Sequence, residues 1–185
     1  MKTRAILFGL FLLVTSWALA QQWPPPGADQ LYGRQQVEEE EAVEQVRIPR
    51  EFLRQSRGWE RALAVQKETG ADIFLYISHQ RPPGARGLCT WWERRGMRNI
   101  NVQRLLEHYI RVELNLPAEL ETRQIAEQFH LWEGPTVVII RPNGRRNSIR
   151  VFDRARDGSM QLKSGEDLVE LILENSSPEY RDIRL

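Results

Sequence analysis

Runs of apolar residues mark the strands of this chain. Ile73–Ile77 and Val137–Ile140 are apolar throughout, which is typical of strands buried on both faces. Between them, apolar and polar side chains alternate from Ile110 to Leu116, which is the period of a strand. Pro142–Gly144 predicts a hairpin turn, so we expect Ser148–Phe152 to pair back onto the strand before the turn.

Apolar residues at helical spacing predict helices between these strands. The segment from residue 78 to residue 88, which is rich in Pro, Gly and Arg, predicts a loop before a short helix that begins at Cys89. Strands separated by helices imply parallel pairs and a late hairpin implies an antiparallel edge, so we expect an α/β fold with a small mixed sheet covered by helices on both faces. The predicted helices are Trp59–Thr69, Cys89–Met97, Val102–Tyr109, Thr122–His130 and one that begins at the capping box Ser164–Asp167.

The first twenty residues have the pattern of a secretory signal peptide. Lys2 and Arg4 precede the apolar run Ile6–Val14, and the small residues of Ala18–Ala20 form a cleavage site. The apolar run is shorter than the roughly 20 residues that a membrane-spanning helix needs. We therefore expect an exported protein, periplasmic or secreted, with no membrane span once the chain is cleaved near Gln21. An uncleaved amino-terminal membrane anchor is the alternative.

Composition divides the chain into four predicted parts. Residues 1–20 are the signal peptide, and residues 21–50 form a Pro-rich and acidic linker that contains the run Glu38–Glu41. Residues 35–46 of this linker are either a solvated helix or disordered. Residues 51–178 form the folded domain, and residues 179–185 a C-terminal tail. The whole chain has 26 basic and 25 acidic residues, a balance that gives no reason to expect nucleic acid as a partner.

The order of these elements resembles the thioredoxin superfamily, with its four- or five-stranded sheet. Cys89-Thr90-Trp91-Trp92 follows the first core strand, where that family has Cys-x-x-Cys, and Phe129–Thr136 resembles the segment that carries its cis-proline. The resemblance implies that Cys89 is the candidate nucleophile and that Trp92 stands at the position of the resolving cysteine. It also implies a cis peptide bond before Pro135, and a substrate-binding surface formed by Trp91, Gly134 and Thr136.

Cys89 is the only cysteine of the chain, which restricts its chemistry. At the start of a helix, with Arg94 and Arg95 nearby, its thiol pKa would be lowered and its thiolate could attack a disulfide. Without a second thiol it could not release the product by itself. An external thiol would have to finish the reaction, which suits disulfide exchange or isomerisation rather than net reduction.

Three functions are compatible with these residues. The first is monothiol thiol–disulfide exchange with protein or peptide clients through Cys89. The second is a non-catalytic thioredoxin-like module that binds proteins and has lost redox activity, with Cys89 buried as a small apolar side chain. The third is a homodimer linked through Cys89. No cofactor is implied, and no metal site either, because His79, His108 and His130 share no ligand spacing with the cysteine or with one another.

Overall fold

The computed structural model describes residues 46–79 and 83–185. The predicted signal peptide, residues 21–45 of the predicted linker and residues 80–82 of the predicted loop lie outside the described residues. The strands are β1 (Leu53–Arg54), β2 (Ile73–His79), β3 (Ile110–Leu116), β4 (Thr136–Ile140), β5 (Arg146–Ile149), β6 (Phe152–Arg154) and β7 (Met160–Leu162). The α-helices are α1 (Gln55–Thr69), α2 (Pro83–Trp91), α3 (Ile100–Leu106), α4 (Leu120–Glu127) and α5 (Gly165–Asn175). A π-helical turn (Trp92–Gly96) continues α2, and a 3-10 helix (Pro178–Asp182) follows α5.

Five strands form one mixed sheet in the order β1-β3-β2-β4-β5. Strand β3 runs parallel to both β1 and β2, whereas β4 runs antiparallel to β2 and to β5. Strands β6 and β7 form a separate antiparallel hairpin. This arrangement confirms the predicted α/β class, the mixed sheet and the parallel pair formed by Ile73–Ile77 and Ile110–Leu116.

The sheet has an apolar core on each face. Leu75 and Ile77 point toward the core that includes Trp59 of α1 and Ala126 of α4. Phe74 and Tyr76 point toward the opposite core, which is covered by the π-helical turn, α3 and α5. Burial on both faces explains why β2 and β4 are apolar along their length, and it places β2 at the centre of the molecule.

Two helices begin at caps that the sequence makes recognisable. The side chain of Asn99 accepts hydrogen bonds from the backbone N–H groups of Asn101 and Val102 at the start of α3. Ser164 and Asp167 form the predicted capping box at the start of α5. At the end of α1, Gly70 adopts the left-handed conformation with φ of 68°, and its N–H donates to the carbonyl of Gln66.

Several predicted boundaries were wrong. Helix α2 begins at Pro83 rather than at Cys89, because a proline fits the first turn of a helix, where its missing N–H is not needed. The second hairpin strand ends at Ile149, and Phe152 belongs instead to the β6–β7 hairpin, which was not predicted. Helix α4 spans Leu120–Glu127 rather than Thr122–His130.

The C-terminal segment was predicted as a tail from residue 179, but it packs into the fold. The hydroxyl of Tyr180 accepts a hydrogen bond from the N–H of Asp72 at 2.8 Å and donates to the carbonyl of His108 at 3.1 Å. Ser177 donates to the buried Asp72 carboxylate from its backbone N–H at 2.7 Å and from its hydroxyl at 2.6 Å. These bonds tie the C-terminal segment to the start of β2, and the folded unit therefore extends at least to Tyr180.

Candidate functional site

Cys89 lies in the last turn of a helix, not in its first turn. It is the seventh residue of α2, which runs from Pro83 to Trp91 and continues directly into the π-helical turn. Only the first four N–H groups of a helix lack partners within the helix, so the unpaired amides and the dipole of the N-terminus do not act on this sulfur. The helix-terminus stabilisation predicted for a Cys89 thiolate is therefore absent.

The Cys89 sulfur is enclosed against the end of β2. The residue is 2% exposed. The N–H of His79 donates to Sγ at 3.4 Å, and Sγ lies 3.6 Å from the carbonyl oxygen of the same residue, to which it donates. The thiol thus satisfies both backbone groups of the last residue of β2, which is a structural role.

The surroundings of Cys89 favour the neutral thiol. Burial raises the pKa of Cys89, and the hydrogen bond from the His79 N–H opposes that effect only in part. The carboxylate of Glu93 raises the pKa further, whereas Arg94 and Arg95 are exposed to solvent. The prediction that these two arginines lower the thiol pKa is not supported by this arrangement.

Trp92, at the position that the resemblance assigns to a resolving cysteine, is part of the core. Its side chain is 0% exposed and is the largest of the fully buried side chains among the described residues. The six-membered ring of its indole lies directly against Gly96, where a Cβ atom would clash with Cε3. Any side chain at residue 96 would displace the indole, so the glycine and the tryptophan form one packing unit.

Sequence reasoning missed a polar contact that adjoins the cysteine. The hydroxyl of Tyr76, on β2, donates to the carboxylate of Glu93 at 2.8 Å. Burial raises the pKa of Tyr76 far above its ordinary value, and the nearby Cys89 and Glu93 act in the same direction. A tyrosine in an otherwise apolar strand was the available signal, because a buried phenol usually has a hydrogen-bond partner.

The Gly134–Pro135 loop adjoins the cysteine-bearing helix but is buried. A Cβ atom placed on Gly134 would lie 3.2 Å from Cδ1 of Leu88, the residue before Cys89. The Thr136 hydroxyl accepts a hydrogen bond from the N–H of Trp132 at 3.0 Å, and residues 134–136 are all buried. Of the residues predicted to bind substrate, Gly134 and Thr136 are thus covered and only Trp91 is exposed.

The predicted cis peptide bond is not at Pro135. Among the described residues the cis bond is Leu116–Pro117, and Gly134–Pro135 is trans. The trans form is the ordinary state of an X-Pro bond, favoured by about 0.5–1 kcal/mol. The loop therefore lies against Leu88 of the cysteine-bearing helix, and it lacks the predicted cis peptide bond.

Trp91 offers the exposed aromatic surface of this region. It is 41% exposed, and its ring centroid lies 5.5 Å from that of Phe152 at an interplanar angle of 58°. Trp91 follows Leu88 by three positions, so both side chains lie on the same side of α2. Solvent therefore reaches the Trp91 side of α2 but not the Cys89 sulfur.

Within residues 46–79 and 83–185, no three His, Cys, Asp or Glu side chains are grouped so that they could hold a metal ion. No helix in that part of the chain is both long enough and apolar enough to cross a membrane.

A mixed five-stranded sheet with a cysteine-bearing helix after its central strand and a Gly-Pro loop beside that helix defines the thioredoxin-like class of fold. No protein-family model matches the chain, and no curated protein matches it in sequence. Among solved structures, it is similar to the oxidised C-terminal domain of DsbD from Neisseria meningitidis, with 13% identity and a TM-score of 0.50 over 68% of this chain and 99% of that domain. A thioredoxin from Thermus thermophilus matches with 16% identity and a TM-score of 0.41 over 63% of this chain and 85% of that one. At 13% identity the likeness to the DsbD domain concerns the fold, and the protein has a thioredoxin-like fold.

Proposed function

We propose that this chain is a protein-binding module built on a thioredoxin-like fold, in which the cysteine has become part of the structure and redox turnover is lost. The observation that carries the proposal is the enclosure of the Cys89 sulfur, which is 2% exposed and hydrogen-bonded to both backbone groups of His79. This is the second of the functions that the sequence leaves open.

Thiol–disulfide exchange requires a thiolate that can reach the disulfide sulfur. The raised pKa of Cys89 opposes formation of the thiolate, and burial opposes access. Trp92, at the position of a resolving cysteine, supplies no second thiol. The same burial argues against a homodimer linked through Cys89, because two sulfurs must come within about 2.05 Å to form a disulfide.

Trp91 is the residue that we assign to partner contact. Large aromatic side chains dominate protein interfaces because they bury much area at low conformational cost, and Trp is enriched among the residues that contribute most. At 41% exposure, supported from one side by Phe152, Trp91 is held in place while much of its ring faces solvent. The partners are proteins or peptides that present an apolar side chain to this ring.

The proposal includes export to the periplasm or the medium, which rests on the pattern of residues 1–20. Cell fractionation and N-terminal sequencing of the protein test it. A mature chain that begins near Gln21 in the exported fraction is the expected result, and an intact chain in the cytoplasm would contradict export.

Thiol reactivity tests the loss of redox chemistry. We expect Cys89 to react with an aromatic disulfide reagent at least about 100-fold more slowly in the native protein than in denaturant, since burial suppresses both thiolate formation and access. The double variant Cys89→Ser/Trp91→Cys is the matched control, because it moves the thiol two positions along the same helix to an exposed site, where it should react readily. A mixed disulfide trapped on native Cys89 with a disulfide substrate would sink the proposal.

Partner capture tests the binding role. The set of proteins cross-linked to wild type should be unchanged in Cys89→Ser and depleted in Trp91→Ala. Leu63→Ala is the control, because Leu63 is 42% exposed on α1 and has no place in the proposed surface. Loss of all partners in Cys89→Ser, with the fold intact, would contradict the proposal and favour thiol–disulfide exchange through Cys89.

A further inference from the structure

Strand β5 is an outer strand of the sheet, and the hydrogen-bond pattern shows which of its backbone groups face outward. The N–H of Arg141 donates to the carbonyl of Arg145 at 2.9 Å, so this pair at the turn is a hydrogen-bonded pair. Such pairs alternate with non-bonded pairs along an antiparallel ladder. Because Arg146 pairs with Ile140 and Ser148 with Val138, the N–H and C=O groups of these two β5 residues point away from β4.

Nothing among the described residues pairs with that outward edge. Strand β5 pairs with β4 alone, and the remaining backbone hydrogen bonds of the described chain do not involve residues 146–150. An open edge of this kind can accept an additional strand from another polypeptide.

Two arginines at or next to this edge strand each lie over an aromatic ring. The guanidinium carbon of Arg146 lies 5.0 Å from the ring centroid of Phe129, and that of Arg150 lies 4.1 Å from the ring centroid of Trp132. Both arginines are exposed, and neither forms a salt bridge with a described residue. The aromatic contacts restrict the two cations while leaving their N–H groups available to an anionic partner.

The spacing of the two arginines matches an extended chain. Arg146 and Ser148 share the sheet face of Val138 and Ile140, and Arg150 continues that alternation beyond the end of β5. Four residues of strand separate the two arginines by roughly 13 Å, given a rise of about 3.3 Å per residue. An added strand with carboxylates at alternate positions would bring acidic side chains opposite both guanidinium groups.

We propose that the open edge of β5 binds an extended segment of a partner protein with acidic residues at alternate positions. The segment adds to the sheet through the outward backbone groups of Arg146 and Ser148, and its carboxylates pair with Arg146 and Arg150. The inference goes beyond the proposed function, because it concerns a surface that does not include Trp91 and would hold even if Trp91 contacted no partner.

The probe is a short fluorescein-labelled peptide of alternating Glu and Val, titrated with the purified protein and followed by fluorescence anisotropy. We expect saturable binding that weakens as salt is added, because exposed charges are screened. The same peptide with Lys in place of Glu should not bind, and the acidic peptide with methylated backbone nitrogens should bind at least about tenfold more weakly, because it cannot complete the ladder.

Two pairs of variants separate the backbone contribution from the charge contribution. Ser148→Pro removes an outward N–H without removing a bond to β4, so it should weaken binding by about tenfold, whereas Ser148→Ala should not. Arg146→Gln/Arg150→Gln should weaken binding by about tenfold or more, whereas Arg57→Gln/Arg104→Gln, which changes the net charge equally on α1 and α3, should have little effect. Circular dichroism confirms that each variant is folded.

Three results would overturn the inference. The first is equal binding by Ser148→Pro and Ser148→Ala. The second is equal loss in the two arginine pairs, which would mean attraction to net charge alone. The third is an absence of peptide binding by wild type. If Arg146→Gln/Arg150→Gln also aggregates, the arginines protect the edge from self-association rather than bind a partner.

Discussion

A buried titratable group lies next to each end of β2, and the two groups have different hydrogen-bond partners. At the carboxyl end, the Cys89 thiol makes long contacts with one residue, His79. At the amino end, the Asp72 carboxylate accepts two short hydrogen bonds from Ser177. A thiol behaves as a small apolar group with weak hydrogen bonds, so it can be buried at little cost, whereas a carboxylate needs strong partners. The carboxyl end of β2, next to the cysteine, is therefore packed as part of the core. The amino end contains the polar network with the shorter hydrogen bonds.

The largest loss of stability is expected at the carboxyl end of β2, from a substitution of Trp92 rather than of Cys89. Trp92→Ala should lower the free energy of unfolding by about 3–5 kcal/mol, because it removes the largest fully buried side chain of the described residues and leaves a cavity in the core. Denaturant unfolding measures the change, and Trp91→Ala is the control, with an expected loss of no more than about 1 kcal/mol. Equal losses in the two variants would mean that Trp92 is not the packing centre of this end.

An intermediate loss of stability is expected from substitutions of Asp72, at the amino end of β2. Asp72→Ala should lower the free energy of unfolding by about 1–3 kcal/mol, because it leaves the N–H and hydroxyl of Ser177 buried without an acceptor. Asp72→Asn, which keeps one acceptor oxygen and removes the charge, should lose less. A loss in Asp72→Asn as large as that in Asp72→Ala would show that the charge itself, rather than the acceptor, stabilises this end.

The pH dependence of stability gives a second measure of the amino end. Burial raises the pKa of Asp72 above 3.8, against the opposing effects of Ser177 and Arg141 and together with Glu179. A raised carboxyl pKa means that the native state binds the proton more tightly, so this group's contribution to stability grows as pH falls toward 3.8 and is lost as pH rises through the native pKa. The difference in unfolding free energy between wild type and Asp72→Asn should therefore shift in favour of wild type on acidification. A difference that does not change with pH would contradict the raised pKa.

The smallest effect is expected from the cysteine itself. Cys89→Ala should change the free energy of unfolding by no more than about 1 kcal/mol, because it removes one buried sulfur with weak hydrogen bonds. Thermal unfolding of the variant beside wild type measures this change. A loss larger than that of Asp72→Ala would reverse the comparison between the two ends.

The sequence was most informative where one local pattern determines the structure. The alternation of Ile110–Leu116 and the apolar runs of β2 and β4 predicted three core strands, and their order predicted the fold. The capping box of Ser164 and Asp167 predicted the start of α5. In each case the side-chain pattern follows directly from burial on one or both faces of an element.

The candidate site was less predictable because it depends on contacts between distant parts of the chain. Proline and glycine in residues 78–88 indicated a loop, yet Pro83 begins a helix, and that shift moves Cys89 from the first turn to the last. The C-terminal segment was predicted as a tail because nothing local reveals that Tyr180 and Asp72 meet across 108 residues. Burial of the cysteine depends on this kind of tertiary contact, which periodicity does not encode.

The close packing of Trp92 on Gly96 restricts which substitutions this part of the core can accept. Trp92→Cys would create a Cys-x-x-Cys sequence, but it would leave a void where the indole stood, while the sulfur of Cys89 would remain buried against β2. Dithiol chemistry at this site would need a helix that starts nearer to Cys89, a refilled core and a second thiol together. Trp92→Cys alone would therefore lower stability without exposing the sulfur of Cys89, so dithiol chemistry would not follow from that single substitution.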